Sequence, residues 1–333
     1  MPHVLIAGPI HPDGMAVLES RPGLTCEVLA APDAADLTER LADADALLIR
    51  TAPLPPAAVE AAPDLKVVAR HGVGYDNVPV DTLTARGIPL AIVGNVNAQT
   101  VAEHTLFLML ALAKRGPVRD RAARDGRWNA ARGEGGTWEL AGRTLLLVGF
   151  GRIGREVARR ARAFDMAVQA YDPYVDRAAM ADLGVEKVDD WRAASPQADV
   201  VSLHVPRTPE TENMIGAAEL EAMKPAAVVI NAARGGLIDE AALAVALGSG
   251  GIAGAGLDTL DREPPDADHP LLGLESVVFS PHSAALTEEC LARMGVAAAE
   301  NILAGLDGRL DPALVVNRDQ LESKKEHALG ETS

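Results

Sequence analysis

Short apolar runs alternate with amphipathic stretches along the first part of the chain. The runs are VLIAG near residue 4, CEVLA near 26, ALLIR near 46, KVVAR near 66 and PLAIV near 89. Between them lie PDGMAVLES, DAADLTERLAD and PPAAVEAA, each with helical spacing or helix-start residues. That rhythm predicts βαβ units, and hence a parallel sheet covered by helices on both faces.

From Thr100 to Arg115 the pattern changes. TVAEHTLFLMLALAKR is too long and too apolar for a strand, and Thr100 with Glu103 has the T-x-x-E spacing of a capping box. Apolar residues all round predict a helix covered on more than one side. The stretch GPVRDRAARDGRWNAARGEGGTWELAG is polar, glycine-rich and carries Trp128 and Trp138. It reads as an arm or loop that packs on a partner subunit. A second βαβ series runs through RTLLLVG, AVQAYD, ADVVSLHVP, AAVVINAARG, IAGAGLD and SVVFSPH. A long helix follows from about Thr287 to Leu306, with Thr287 as N-cap and Glu288 and Glu289 where the helix dipole favours acids. DQLESKKEHALGETS is polar and is expected to be frayed or disordered.

The 333 residues suffice for two α/β domains, and 48% apolar content belongs to a globular chain. A net charge of −16 argues against nucleic acid and anionic membranes as partners. It also means that an anionic substrate must be captured by a local cation. Cys26 and Cys290 match no metal-ligand spacing, so no metal is expected, and both read as free buried thiols in a reducing compartment. The N-terminus lacks the pattern of a signal peptide, and no segment has the apolar length of a membrane helix. A cytoplasmic protein is the expectation.

LLLVGFGRIGREVARRARAFDMAVQAYD carries the most specific signal. Gly149, Gly151 and Gly154 form G-x-G-x-x-G after a strand and before a helix, and Asp172 ends the next strand. Gly149 permits a tight turn, Gly151 lets backbone approach a pyrophosphate, and Gly154 lets helix and strand pack closely. The helix N-terminus offers N–H groups to the phosphates. Asp172 would accept hydrogen bonds from the adenosine ribose and repel the extra phosphate of NADP, which selects NAD. Arg152 either lines the phosphates or faces solvent.

Three ionisable residues stand where strands of the second series end: Arg234, Glu263 and His282. Open α/β sheets bind ligands outside the carboxyl ends of their strands. Reducing a ketone requires a proton donor, a group that favours its protonated form, and a cation that holds the substrate and polarises its carbonyl. Histidine, carboxylate and arginine meet those needs.

RHGVGYDNV, TVAEHT, GFGRIG, SLHVPRTPET, NAARGGLID, GLDTLDREPP and SPHSAALT, in this order, resemble the D-2-hydroxyacid dehydrogenases over nearly the whole chain. The resemblance implies reversible hydride transfer between NADH and a small anionic 2-keto or D-2-hydroxy acid. It implies two Rossmann-like or flavodoxin-like domains with parallel sheets. The substrate domain would be discontinuous, residues 1–99 and 287–317. The NAD-binding domain, 100–286, would be inserted in it with a linking helix and a dimerisation arm, and 318–333 would be a polar tail. Arg234 would bind and polarise the substrate, Glu263 would partner the histidine, and His282 would be the acid/base. Asp258 would lie near the nicotinamide carboxamide. Cofactor-lining positions would include Thr100, Ile153, Ala232, Arg234 and His282, with His204, Val205, Pro206 and Thr208 on the adenine side. A homodimer is implied.

The substrate is less sharply defined. Gly72, Val73 and Gly74 supply glycine-freed backbone, and in the family such N–H groups bind the substrate carboxylate. Arg50 and Thr51 end ALLIR; in phosphoglycerate dehydrogenases of the family a comparable arginine reaches the substrate phosphate. Arg50, Arg70 and His71 are therefore candidates for a second anionic or polar group. Glyoxylate, hydroxypyruvate and simple 2-keto acids stay open, as do phosphoglycerate- or phosphite-type activity and an NAD-sensing, co-repressor-like scaffold. Glu263 argues against formate dehydrogenase, where the family has glutamine. Ser283-Ala284-Ala285 replaces the glycine pair of many relatives, which changes packing by the nicotinamide.

Overall fold

The computed structural model describes residues 1–330, with side chains through Lys324. The chain divides into two compact units, Met1–Asn97 with the chain from Leu286 onward, and Ala98–Ala285.

In the first unit the aliphatic runs form β1 (His3–Ala7), β2 (Thr25–Leu29), β3 (Ala46–Ile49), β4 (Val67–Arg70) and β5 (Leu90–Ala91). All pairings are parallel, in the order β2-β1-β3-β4-β5. The order reverses between β1 and β3. Open α/β sheets bind ligands past the strand ends at such a point, and here Gly8 and Arg50 are the residues that follow the two strands. Leu5, Leu47, Ile49 and Val68 from the strands and Leu37 and Leu41 from the helix Ala34–Leu41 share one core.

The C-terminal chain returns to this unit. Thr287 caps the helix Glu288–Leu306 by accepting the Cys290 N–H (3.3 Å). Cys290 is buried as expected, whereas Cys26 is only half-buried. Val315 bridges Ala91, and the buried Asn317 side chain accepts the Leu90 N–H (3.0 Å) and donates to the Ile88 carbonyl (3.0 Å). Anchored there, the segment expected to be a frayed tail forms a helix, Arg318–Gly330; residues 331–333 lie outside the described residues.

The second unit holds β6 (Thr144–Val148), β7 (Ala167–Tyr171), β8 (Glu186–Lys187), β9 (Val200–Leu203), β10 (Val228–Asn231), β11 (Gly254–Leu257) and β12 (Val277–Phe279). They too are parallel, in the order β12-β11-β10-β9-β6-β7-β8. This is a doubly wound Rossmann order with a further strand at one edge, and its switch point lies between β6 and β9. The two-residue β8 is too short and polar to be visible as a strand in the sequence.

The helix expected from Thr100 begins at Ala98 and runs to Ala113. Ala98 and Gln99 are good helix formers, so the helix extends back past Thr100. Thr100 therefore lies inside the helix, and the expected capping box does not form. Glu103 instead accepts from Gln99 (3.1 Å) and pairs with Arg160 (3.1 Å). Gly254 and Gly256 of β11 let this helix lie close on the sheet; a Cβ on Gly256 would be 2.9 Å from Leu108 Cβ. As expected, the helix is covered on more than one side, by the sheet and by the helix Arg152–Ala163, and only a strip that includes Phe107, 52% exposed, stays open. The arm that follows contains two helices, Gly116–Arg124 and Trp128–Gly133. Among the described residues no helix is long and apolar enough to cross a membrane.

The helix Pro12–Glu19 crosses Glu288–Leu306 with almost no separation. A Cβ on Gly14 would sit 2.5 Å from the Gly295 carbonyl carbon, whereas one on Gly295 would meet nothing nearer than 3.4 Å. Overpacking costs ~1–3 kcal/mol, more than the ~0.5–1 kcal/mol that alanine gains over glycine in a helix. Gly14→Ala should therefore lower the denaturant midpoint, and Gly295→Ala should leave it unchanged or raise it. Equal losses in both would contradict this asymmetry.

Candidate active site

β6 ends in a turn at Gly149 (φ +100°), pressed so close to the chain after β9 that a Cβ would be 2.4 Å from the His204 carbonyl oxygen. Gly154, in the first turn of the helix Arg152–Ala163, packs equally tightly on the Gly149 carbonyl. Gly151 differs, because a Cβ there would meet nothing within 4 Å. It is also the N-cap of that helix, and no side chain caps the first N–H groups. An open glycine before uncapped amides is what a pyrophosphate needs, so these residues fit a dinucleotide. Asp172 braces the loop by accepting the Phe150 N–H (2.8 Å) and the Tyr174 N–H (2.9 Å). Arg152 is exposed and Ile153 half-buried. Across the switch point His204 donates its backbone N–H to Val148 (2.7 Å), and its Nε2 meets the Ser202 hydroxyl (2.9 Å). Burial pushes this imidazole down to about 4. Val205 and Thr208 are half-buried and Pro206 is exposed in the loop that follows.

β10 ends at Asn231, whose side chain closes the next turn. Its Oδ1 accepts the Ala233 N–H (3.1 Å) and its Nδ2 donates to the Arg234 carbonyl (2.7 Å). Arg234 leaves this turn half-buried, and its Nη1 donates to the Ala233 carbonyl (2.6 Å). A Cβ on Gly235 would lie 1.9 Å from the Leu260 carbonyl oxygen, and one on Gly236 (φ +74°) 2.5 Å from the Arg207 guanidinium carbon. These small residues serve the chain's own packing: Gly236 meets the loop after β9, and Gly235 locks the loop after β10 to the loop after β11.

The locked loop carries Glu263. Its Oε1 accepts the Leu260 N–H (3.0 Å) and its Oε2 lies 2.7 Å from His282 Nδ1. Burial raises the Glu263 pKa, but the His282 and Leu260 hydrogen bonds and the Arg234 charge outweigh it and hold the carboxyl below the usual range. An ionised Glu263 can only accept, so Nδ1 carries the proton and Nε2 is left for proton exchange. Asp261 secures the same loop: its N–H goes to Glu240 (2.7 Å) and its carboxylate takes Arg207 (2.8 Å).

His282 is held in a left-handed turn, φ +50°. Beneath it lies the buried Asp258, whose Oδ1 accepts the Ser283 N–H (2.8 Å) and the Ser280 hydroxyl (2.6 Å), and whose Oδ2 accepts the Ala284 N–H (3.0 Å). The Asp258 carbonyl accepts the His282 N–H (2.8 Å). Ala284 packs with Val101 and Ala232, so the alanines that replace a glycine pair fill a small apolar cluster. Thr100 is buried beside Val101. No sequence signal singles out Ser280, Glu240 or Asp261, because their parts depend on loops that only the fold brings together.

In the first unit Arg50 Nη1 donates to the Pro9 carbonyl (2.6 Å). Arg70 donates to Asn77 (3.3 Å) and to the His71 carbonyl (2.6 Å), folding beneath Gly72 (φ +152°). Val73 and Gly74 follow, half-buried.

The Rossmann sheet and its glycine loop place the second unit among NAD-binding domains. Residues 106–284 match the family described as D-isomer specific 2-hydroxyacid dehydrogenase, NAD binding domain. D-3-phosphoglycerate dehydrogenase of Methanocaldococcus jannaschii is 40% identical over 326 residues, covering 98% of this chain and 61% of that protein. Glyoxylate reductase of Korarchaeum cryptofilum is 41% identical over 295 residues, covering 86% of this chain and 87% of the reductase. The solved NADPH-dependent glyoxylate/hydroxypyruvate reductase of Sinorhizobium meliloti, in complex with NADP and malonate, superposes with a TM-score of 0.81 at 32% identity over 92% of this chain and 93% of that one. The chain belongs to the D-isomer specific 2-hydroxyacid dehydrogenase family.

His71 sets a pH dependence of stability. Burial and the charges of Arg50 and Arg70 push its imidazole down to about 4, against about 6.5 in an unfolded chain. Between these values the unfolded chain binds a proton that the folded chain refuses. The folded state is therefore favoured fully above about pH 6.5 and loses stability as pH falls towards 4, by up to ~1.4 kcal/mol per pH unit. Denaturation from about pH 7 to about pH 4.5 should show this slope in the wild type and a flatter one in His71→Gln. Identical slopes would exclude His71 as the source.

Proposed function

We propose that this protein is an NAD-dependent oxidoreductase that interconverts a small 2-keto acid and a D-2-hydroxy acid. The observation that carries the reading is the 2.7 Å contact of His282 with an ionised Glu263 that also feels the charge of Arg234. Gly149, Gly151 and Gly154 and the open helix start would hold the dinucleotide, which would supply the hydride to the carbonyl carbon. His282 Nε2 gives its proton to the carbonyl oxygen in reduction and takes one from the hydroxyl in oxidation. Glu263 fixes the ring through Nδ1 and balances the imidazolium. Arg234 binds the acid and polarises the carbonyl.

The remaining assignments belong to the same proposal. Asp172 favours NAD, since its carboxylate would face the extra phosphate of NADP. Asp258 and the backbone from Ala232 line the nicotinamide, with Thr100 among the lining positions and His204 to Thr208 on the adenine side. The first unit is the substrate domain. There the N–H groups of Gly72, Val73 and Gly74 take the carboxylate, and Arg50, at the switch point of its sheet, recognises a polar or anionic group. A homodimer forms through the second unit, where Leu106, Phe107, Leu110, Pro117 and Phe164 line an apolar groove of about 730 Å³.

NADH oxidation against glyoxylate, hydroxypyruvate, phosphohydroxypyruvate, pyruvate and bulkier 2-keto acids tests the chemistry. Turnover on one class should fall by ~10²-fold or more in His282→Ala and in Glu263→Gln, and NADPH should serve poorly. Full activity in His282→Ala would sink the assignment. NADH binding with no turnover would instead favour a sensing scaffold.

Sedimentation should show a dimer for the wild type and a monomer for Phe107→Asp, because a buried unpaired carboxylate is not tolerated at an apolar interface. A wild-type monomer would overturn the dimer assignment.

A further inference from the structure

His104 has no part in the chemistry above, yet it is half-buried on the helix Ala98–Ala113 and aimed at the turn that holds His282. Its Nε2 lies 2.7 Å from the Ser280 hydroxyl and 3.6 Å from Asp258 Oδ1. Its ring leans on Phe107, with centroids 5.4 Å apart. Ser280 donates its proton to Asp258 at 2.6 Å. A hydroxyl has one proton, so Ser280 must accept from His104, which fixes the proton on Nε2. Burial lowers the His104 pKa, and the nearby Asp258 charge opposes that shift. Both the neutral Nε2–H tautomer and the imidazolium provide the donor.

We propose that His104 is a positioning residue for His282, acting through Ser280 and Asp258. The chain of contacts is continuous. Asp258 Oδ1 is shared by Ser280 and the Ser283 N–H, and Oδ2 takes the Ala284 N–H. Those amides follow directly after a histidine held at φ +50°, a conformation that an L-residue adopts only when its surroundings impose it. Removing the His104 donor frees Ser280 to rotate and leaves the Asp258 carboxylate with one fixed side-chain partner fewer. The turn then relaxes, and His282 loses its alignment with Glu263. The idea rests on His282 being the acid/base.

The test compares His104→Leu, which removes the donor at similar size, with His104→Gln, which can place an amide N–H near the position of Nε2. His282→Ala is run beside them. Two readouts are taken, steady-state kinetics on the best 2-keto acid and hydrogen exchange of the peptide containing Ser283 and Ala284. His104→Leu should lower kcat by ~10- to 100-fold with KM changed less than ~3-fold, and should speed exchange at that peptide. His104→Gln should restore both to within ~3-fold of wild type. Wild-type kcat and unchanged exchange in His104→Leu, with His282→Ala inactive, would overturn the relay and leave the catalytic assignment standing. An active His282→Ala would overturn the assignment itself, and exchange would still report whether His104 holds the turn. Loss in both His104 variants alike would assign the residue to packing and refute the relay.

Discussion

One buried carboxylate organises the second unit's strand ends. Asp258 follows β11, and its two oxygens accept one hydroxyl and two backbone amides, while its own N–H and carbonyl tie to Asn231 and His282 (2.9 and 2.8 Å). A buried charge is costly unless it is richly hydrogen-bonded, and this one is. The arrangement joins the loops after β10, β11 and β12, and those loops carry Arg234, Glu263 and His282. None of the three lies near another in sequence. Their common location follows from parallel strands that all end on one side of the sheet, and their mutual aim follows from Asp258 and from the close contact of Gly235 with Leu260.

Much of this was legible because the responsible features are local. Aliphatic runs, glycine spacing and Asp172 each act over a few residues or one βαβ unit, so the α/β class and the dinucleotide loop could be read directly. Boundary and packing detail was not local. Thr100 and Glu103 satisfied a capping pattern, yet the helix starts at Ala98, because pattern says nothing about whether the preceding residues also coil. The C-terminal segment looked like a tail, and Asn317, buried against Leu90 and Ile88, anchors it into a helix. Gly235 and Gly236 stand where two loops press together. The sequence could not reveal that the close neighbours are Leu260 and Arg207 of the same chain.

The electrostatics of the site pose a problem that the geometry resolves. The chain carries a net charge of −16, so the anionic substrate of the proposed reaction would reach Arg234 against the overall field. An acid bound at Arg234, as proposed, would also neutralise a charge that helps hold Glu263 ionised. A carboxylate supported only by that arginine would tend to take up a proton once the arginine charge was neutralised. Glu263 has two further supports, the Leu260 N–H on one oxygen and His282 on the other. The first is a backbone amide fixed by the Gly235 contact and needs no charge at all. In the proposed reaction, substrate would therefore claim the arginine while Glu263 stayed an acceptor, and the histidine ring would keep its orientation as it gave up its proton.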